Sequence, residues 1–180
     1  MAMLASIWLQ VVGNERAMLH DLIVSLAAQH GTVPFQPHLT VCGAADLNPA
    51  CWDAAAEYVR SGELLPLTAE KLRISHSATE WSRAVTIDVR NSAAIDAFRQ
   101  ALSRITGGAI AAPPHISLLY TADDRGQPPS WAASEPRLRA IADECAAAVD
   151  ATQFVLADPV VVAPDEDWVN IKSWKVVRRL

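Results

Sequence analysis

The sequence predicts an α+β fold built as a bilobal duplication: two antiparallel β-sheets face a central cleft, with helices on the outside. Three observations predict it. The tetrapeptide Pro37-His38-Leu39-Thr40 returns as Pro114-His115-Ile116-Ser117, 77 residues later (115 − 38). The same ungapped shift lays Asn14 on Asn91, Met18 on Ile95 and Gly31 on Gly108, and lays Ile7–Val12 over Ala84–Val89. Around each tetrapeptide, strand-like runs alternate with apolar residues at helical spacing, giving a strand–helix–strand unit. Two copies are too few for a solenoid. They read as two pseudo-symmetric lobes of one domain spanning residues 1–180, a length with ample chain for a core.

Residues 4–12 form the first strand. Ile7, Leu9 and Val11 share one face and belong to the core, while Ser6, Trp8 and Gln10 share a mixed face that suits a cleft. Trp8 is there either as a stacking platform for a nucleobase or as a cover on the core edge. Asn14 is expected to cap the next helix, with Glu15 complementing the helix dipole. Met18, Leu19, Leu22, Ile23 and Leu26 form its buried stripe, and Gly31 ends it. His20 and His30 on this helix read as ordinary surface or boundary residues.

Residues 34–43 carry the first motif, and 49–61 form a second helix opened by Pro49 and ended near Gly62. A strand is expected over 64–74, a polar turn with an exposed His76 over 75–80, and a strand over 81–89. Asn91 or Ser92 caps the next helix, which runs to about Ile105 on an apolar stripe of Ile95, Phe98 and Leu102, with Gly107-Gly108 at its end. Residues 113–120 carry the second motif. Residues 121–133, rich in Asp, Gly, Pro and Ser, are an exposed loop. An amphipathic helix over 134–149 leads to a closing hairpin of 154–162 and 168–177, joined by Pro164-Asp165-Glu166-Asp167. Lys172, Lys175, Arg178 and Arg179 give the tail a basic tint that a solvated strand edge explains.

Half the residues (51%) are hydrophobic, which places the chain among globular proteins. A net charge of −5 argues against a broad grip on long nucleic acid, which needs clustered Lys and Arg. A small nucleotide needs only a local site. Three cysteines, Cys42, Cys51 and Cys145, make neither a disulfide framework nor a zinc spacing and read as reduced thiols. Cys42 shares the parity of His38 and Thr40, so it lies near the cleft or is a small buried residue. The apolar start lacks the basic residues and length of a signal peptide, and no stretch reaches the length of a membrane span. The cytoplasm, a monomeric state and no membrane association are the expectations.

Side chains at i and i+2 of a strand share a face. His38 and Thr40 therefore project together, as do His115 and Ser117, with Leu39 and Ile116 turned to the core. Two imidazoles titrating near neutrality and two hydroxyls make a site for a phosphate ester. One imidazole accepts a proton and the other donates one, while the hydroxyls hold phosphoryl oxygens. No cofactor or metal is required: the motif-bearing strands hold no carboxylate, there is no phosphate-binding glycine-rich loop, and zinc would want three or four ligands.

The paired Pro-His-aliphatic-Thr/Ser motifs in two related halves resemble the 2H phosphoesterase superfamily. The opening Ser6-Ile7-Trp8-Leu9 and the run Phe35–Gly43 look most like its small cyclic phosphodiesterase branch. The resemblance implies metal-independent hydrolysis of a nucleoside 2′,3′-cyclic phosphate or of ADP-ribose 1″,2″-cyclic phosphate. His115 would be the base and His38 the acid, with Thr40 and Ser117 on the phosphate and a 2′-phosphate as product. It also implies that Trp8, Trp81 and Tyr120 lie near the substrate, although Trp81 matches loosely. By strand parity alone, Tyr120 opposes His115 and Ser117 and belongs to the core. RNA end processing or 2′-5′ phosphodiester chemistry, and a nucleotide-binding module without turnover, are the alternatives.

Overall fold

The computed structural model describes residues 4–46, 48–62, 64–110, 113–123, 125–165 and 168–180. Its elements run β1 (Leu4–Val12), α1 (Asn14–His30), β2 (His38–Asp46), α2 (Pro49–Ser61), β3 (Leu67–His76), β4 (Val85–Val89), α3 (Ala93–Thr106), β5 (His115–Leu119), α4 (Glu135–Ala148), β6 (Gln153–Pro164) and β7 (Trp174–Arg179). Short 3₁₀ turns at Trp81–Arg83 and Ile171–Ser173 precede β4 and β7. The expected Glu166 and Asp167 of the last turn, and Asp124 of the long loop, lie outside the described residues, as do Met1–Met3.

The duplication is visible in the element order: β1-α1-β2-α2-β3 is followed by β4-α3-β5-α4-β6. The offset of 77 holds at the motif strands, then becomes 86 for the second helix and last strand of each half (135 − 49 and 153 − 67). The extra residues fall in the loop before α4. Among the described residues all strand pairs are antiparallel, in the order β1-β2-β5-β4-β3-β6-β7, and β1 also pairs with β6, so six of these strands close into a ring. The two motif strands β2 and β5 lie side by side, where Leu39 faces Ile116. The helices lie outside the sheet, with α1 against β5 and α3 against β2, so each half's helix covers the other half's motif strand. Leu19, Ile23, Phe98 and Leu102 meet Leu39, Ile87 and Ile116 in one apolar core. Among the described residues, no helix is long and apolar enough to cross a membrane.

Several local expectations shift. Gly13, not Asn14, precedes α1, and no side chain caps that end. Ser92 caps α3, its hydroxyl accepting from the Ile95 amide. That helix ends at Gly107, within the expected Gly107-Gly108 pair; Gly31 and Gly107 sit at φ 66° and 71°, the left-handed turn that a glycine adopts without a Cβ clash. Trp81 lies in a 3₁₀ turn and not on β4, and the last strand starts at Trp174, not Trp168. His76 is half-buried and bonds Glu135 of α4 at 2.6 Å instead of standing exposed.

Cys42 faces the core. Trp8 pairs with Thr40 but Ile7 pairs with Cys42, so a β-bulge inserts one residue and reverses the alternation beyond Thr40. The bulge turns Cys42 toward α3, where its sulfur meets Thr106 Oγ1 at 3.7 Å.

Candidate active site

The strand register brings the two motifs together. With Leu39 opposite Ile116, His38 stands beside Ser117 and Thr40 beside His115. Each histidine therefore faces the other motif's hydroxyl, and the two imidazoles occupy one diagonal of a four-residue square. Diagonal neighbours across an antiparallel pair lie about 7–8 Å apart at their bases, enough to bracket a phosphorus atom. On β4, Thr86 pairs with Ser117 and Asp88 with His115, which extends the polar face by one strand.

Both rings are held the same way. His38 Nδ1 meets the Gln36 carbonyl at 2.7 Å, and His115 Nδ1 meets the Pro113 carbonyl at 3.0 Å. A carbonyl only accepts, so Nδ1 carries the hydrogen in each neutral ring, and Nε2 keeps its lone pair. Neither Nε2 bonds another group among the described residues. The backbone two residues before each histidine thus sets the tautomer.

The environments differ. Burial pushes His38 down to about 4, against the opposing pull of the Gln36 carbonyl, and the nearby His115 adds to the depression. Trp8 stacks on His38 with centroids 3.6 Å apart and planes 10° from parallel. Trp8 is itself fixed: its indole N–H donates to Ser6 Oγ at 3.1 Å, and the Ser6 hydroxyl donates to the Cys42 carbonyl at 3.0 Å. His115 is half-buried, and its pKa is also lowered by burial, with the Pro113 carbonyl and Asp88 raising it and Arg83 and Arg99 lowering it.

A cavity of about 390 Å³ opens beside His38 and Thr40. Its walls include Trp8, Trp81, Tyr120, Trp168 and Trp174, and none of its described lining residues is charged. Tyr120 follows the last residue of β5, so the strand's alternation no longer governs it; it reaches the cavity while stacking on Phe35 at 3.8 Å. Burial raises its phenol pKa and keeps it neutral. Trp81 reaches the wall from its 3₁₀ turn and meets Tyr120 edge-on at 5.5 Å. The face of Trp8 is occupied by the imidazole, leaving little of this ring (8%) exposed. Neither His115 nor Ser117 lines the cavity; the Ser117 hydroxyl donates to the Ser82 carbonyl at 2.8 Å.

Trp168 and Trp174 were not singled out by the sequence reading. Trp174 meets Trp8, Tyr120 and Trp168 edge-on within 5.3–5.7 Å and donates its N–H to the Trp168 carbonyl. The available signal was their aromatic character six residues apart, beside the basic tail. Their place at the cleft depends on β7 folding back along β6.

No protein-family model matches the chain, and no curated protein matches it. Solved structures do. E. coli LigT complexed with phosphate aligns over 99% of this chain and 96% of its own, with a TM-score of 0.58 and 13% identity. E. coli LigT complexed with 3′-AMP aligns over 100% and 98%, at 0.58 and 14%. A further crystal structure, of a phosphoesterase, aligns over 99% and 97%, at 0.59 and 14%. At these identities the likeness is one of fold: the chain shares the fold of E. coli LigT and of that phosphoesterase.

Proposed function

We propose that the protein hydrolyses a small cyclic phosphate, with a nucleoside 2′,3′-cyclic phosphate as the first substrate to test. The observation that carries this reading is the diagonal pair of imidazoles, each tied at Nδ1 to a backbone carbonyl and open at Nε2. In-line attack at phosphorus needs a base on one side and an acid on the other, and this arrangement provides one proton-transfer group for each.

His115 Nε2 takes a proton from water as the water oxygen bonds to phosphorus. His38 Nε2–H gives a proton to the 3′ oxygen as its bond to phosphorus breaks, leaving a 2′-phosphate. Thr40 and Ser117 donate to the charged equatorial oxygens; for Ser117 this means exchanging the Ser82 carbonyl for the phosphate. His38 is buried as a neutral ring, so the substrate's negative charge must recruit its proton. Trp81, Tyr120, Trp168 and Trp174 offer aromatic surface to the nucleobase. Trp8 holds His38 through its face and touches the cavity with what remains.

The test is turnover of the four nucleoside 2′,3′-cyclic phosphates with EDTA present, resolving 2′- from 3′-phosphate products. The 2′-phosphate is expected, with losses of about 10²–10⁴-fold in His38→Ala and in His115→Ala. Tight binding without turnover would support a nucleotide-binding module, and equal activity in either variant would end the two-histidine mechanism.

A further inference from the structure

The polar face continues past His115 to a residue that the proposed chemistry does not use. Asp88 stands opposite His115 on β4, and Arg73 stands opposite Asp88 on β3. The nearly buried Asp88 carboxylate accepts from Arg73 Nε at 2.9 Å and from Ser75 and Thr86 at 2.8 and 3.3 Å. Burial would raise its pKa, but the hydrogen bonds from Arg73, Ser75 and Thr86 and the arginine's charge keep it below the ordinary carboxylate value. Arg73 is therefore tethered at Nε, while its side chain is 76% exposed and its terminal amino groups bond nothing among the described residues. A guanidinium held on one edge presents the other as a planar fork, which matches a phosphate.

We propose that Arg73 is a second anion subsite, binding an additional phosphate group carried by the substrate. This rests on the cyclic-phosphate reading above. Neighbouring strands are about 4.8 Å apart, so the Arg73 backbone lies roughly 10 Å from that of His115, on the side away from His38. The reacting phosphate belongs between the histidines, out of competition with Arg73. The aromatic cavity has no charged wall among its described residues and offers a second phosphate no counter-charge. Arg83, which with Arg99 lowers the pKa of His115, is less exposed than Arg73, at 23%, and is already paired with Glu80 at 3.3 Å. As a contribution to stability, so exposed a pair as Arg73–Asp88 is worth little; its effect is to aim the guanidinium.

The shared chemistry is a phosphate monoester or a pyrophosphate joined to the ribose that bears the cyclic phosphate. The test uses adenosine 2′,3′-cyclic phosphate, the same molecule with a 5′-phosphate, and ADP-ribose 1″,2″-cyclic phosphate. In Arg73→Ala, kcat/KM for the 5′-phosphorylated or the pyrophosphate substrate, relative to the plain one, is expected to fall about three- to fivefold, the size of an exposed charge pair. The effect should fade with added salt, and Arg73→Lys should retain part of it. The phosphorylated substrate that responds identifies the source. An unchanged ratio, whether activity on all three falls together or not at all, overturns the subsite. Calorimetric binding of 2′-AMP with and without a 5′-phosphate reads the same contrast without turnover. Absence of any turnover would refute the cyclic-phosphate reading, while the binding contrast would still decide Arg73.

Discussion

Binding of an anionic product should raise the pKa of His38, and the size of that shift decides whether this residue can serve as the acid. Burial holds the free imidazole at about 4. At pH 7 about one ring in 1,000 would then carry the proton, and protonating the rest costs about 4 kcal/mol. A phosphate charge about 4 Å away returns roughly 4 kcal/mol at an effective dielectric constant near 20. The two sides nearly balance, so His38 should titrate at roughly 7 with 2′-AMP bound. The sign is fixed: the neutral ring dominates in the free protein above its depressed pKa, and the anion extends the protonated form to higher pH. The assay is an NMR titration of the His38 Cε1–H signal, assigned with His38→Gln, in free protein and in the complex. A value that stays near 4 in the complex while kcat is greatest at neutral pH would refute the argument. The acid role would then pass to His115, which has the Asp88 carboxylate beside it.

Two further outcomes follow from particular contacts. Trp8→Leu should lower kcat by roughly 10- to 100-fold through a displaced His38, by the same factor for all four nucleobases and for a cyclic phosphate lacking a base; a loss in KM that tracks the base would instead make Trp8 a platform. Ile116→Ala, at the fully buried β2–β5 pairing, should cost about 2–5 kcal/mol in denaturant unfolding, and a cost under about 1 kcal/mol would show that this pairing contributes little to stability.

Much of this protein was legible in the sequence because duplication and strand alternation are local signals. The repeated tetrapeptide located the motif strands, and period-two alternation put Leu39 and Ile116 in the core and His38, Thr40, His115 and Ser117 on the other face, as the register shows. The spans of β1 and α2 were readable from apolar patterning and the Pro49 start. Parity failed wherever the backbone left the ideal strand. A bulge after Thr40 turned Cys42 to the core, a 3₁₀ turn carried Trp81 to the cavity wall, and the end of β5 freed Tyr120 from its strand's alternation.

What the tertiary structure alone decided is the pairing of distant strands. The sequence by itself determined two imidazoles and two hydroxyls on two similar strands. Closure of the six-strand ring decided that each histidine faces the other motif's hydroxyl, that Trp8 stacks on His38, and that Trp168 and Trp174 return to the cleft on a hairpin near the end of the chain. It also placed Asp88 and Arg73 in line with His115, across three strands that follow one another in the chain. Local patterning tells each residue which face it takes. Which strand lies beside it depends on how both halves bury their apolar faces together, a property of the whole chain.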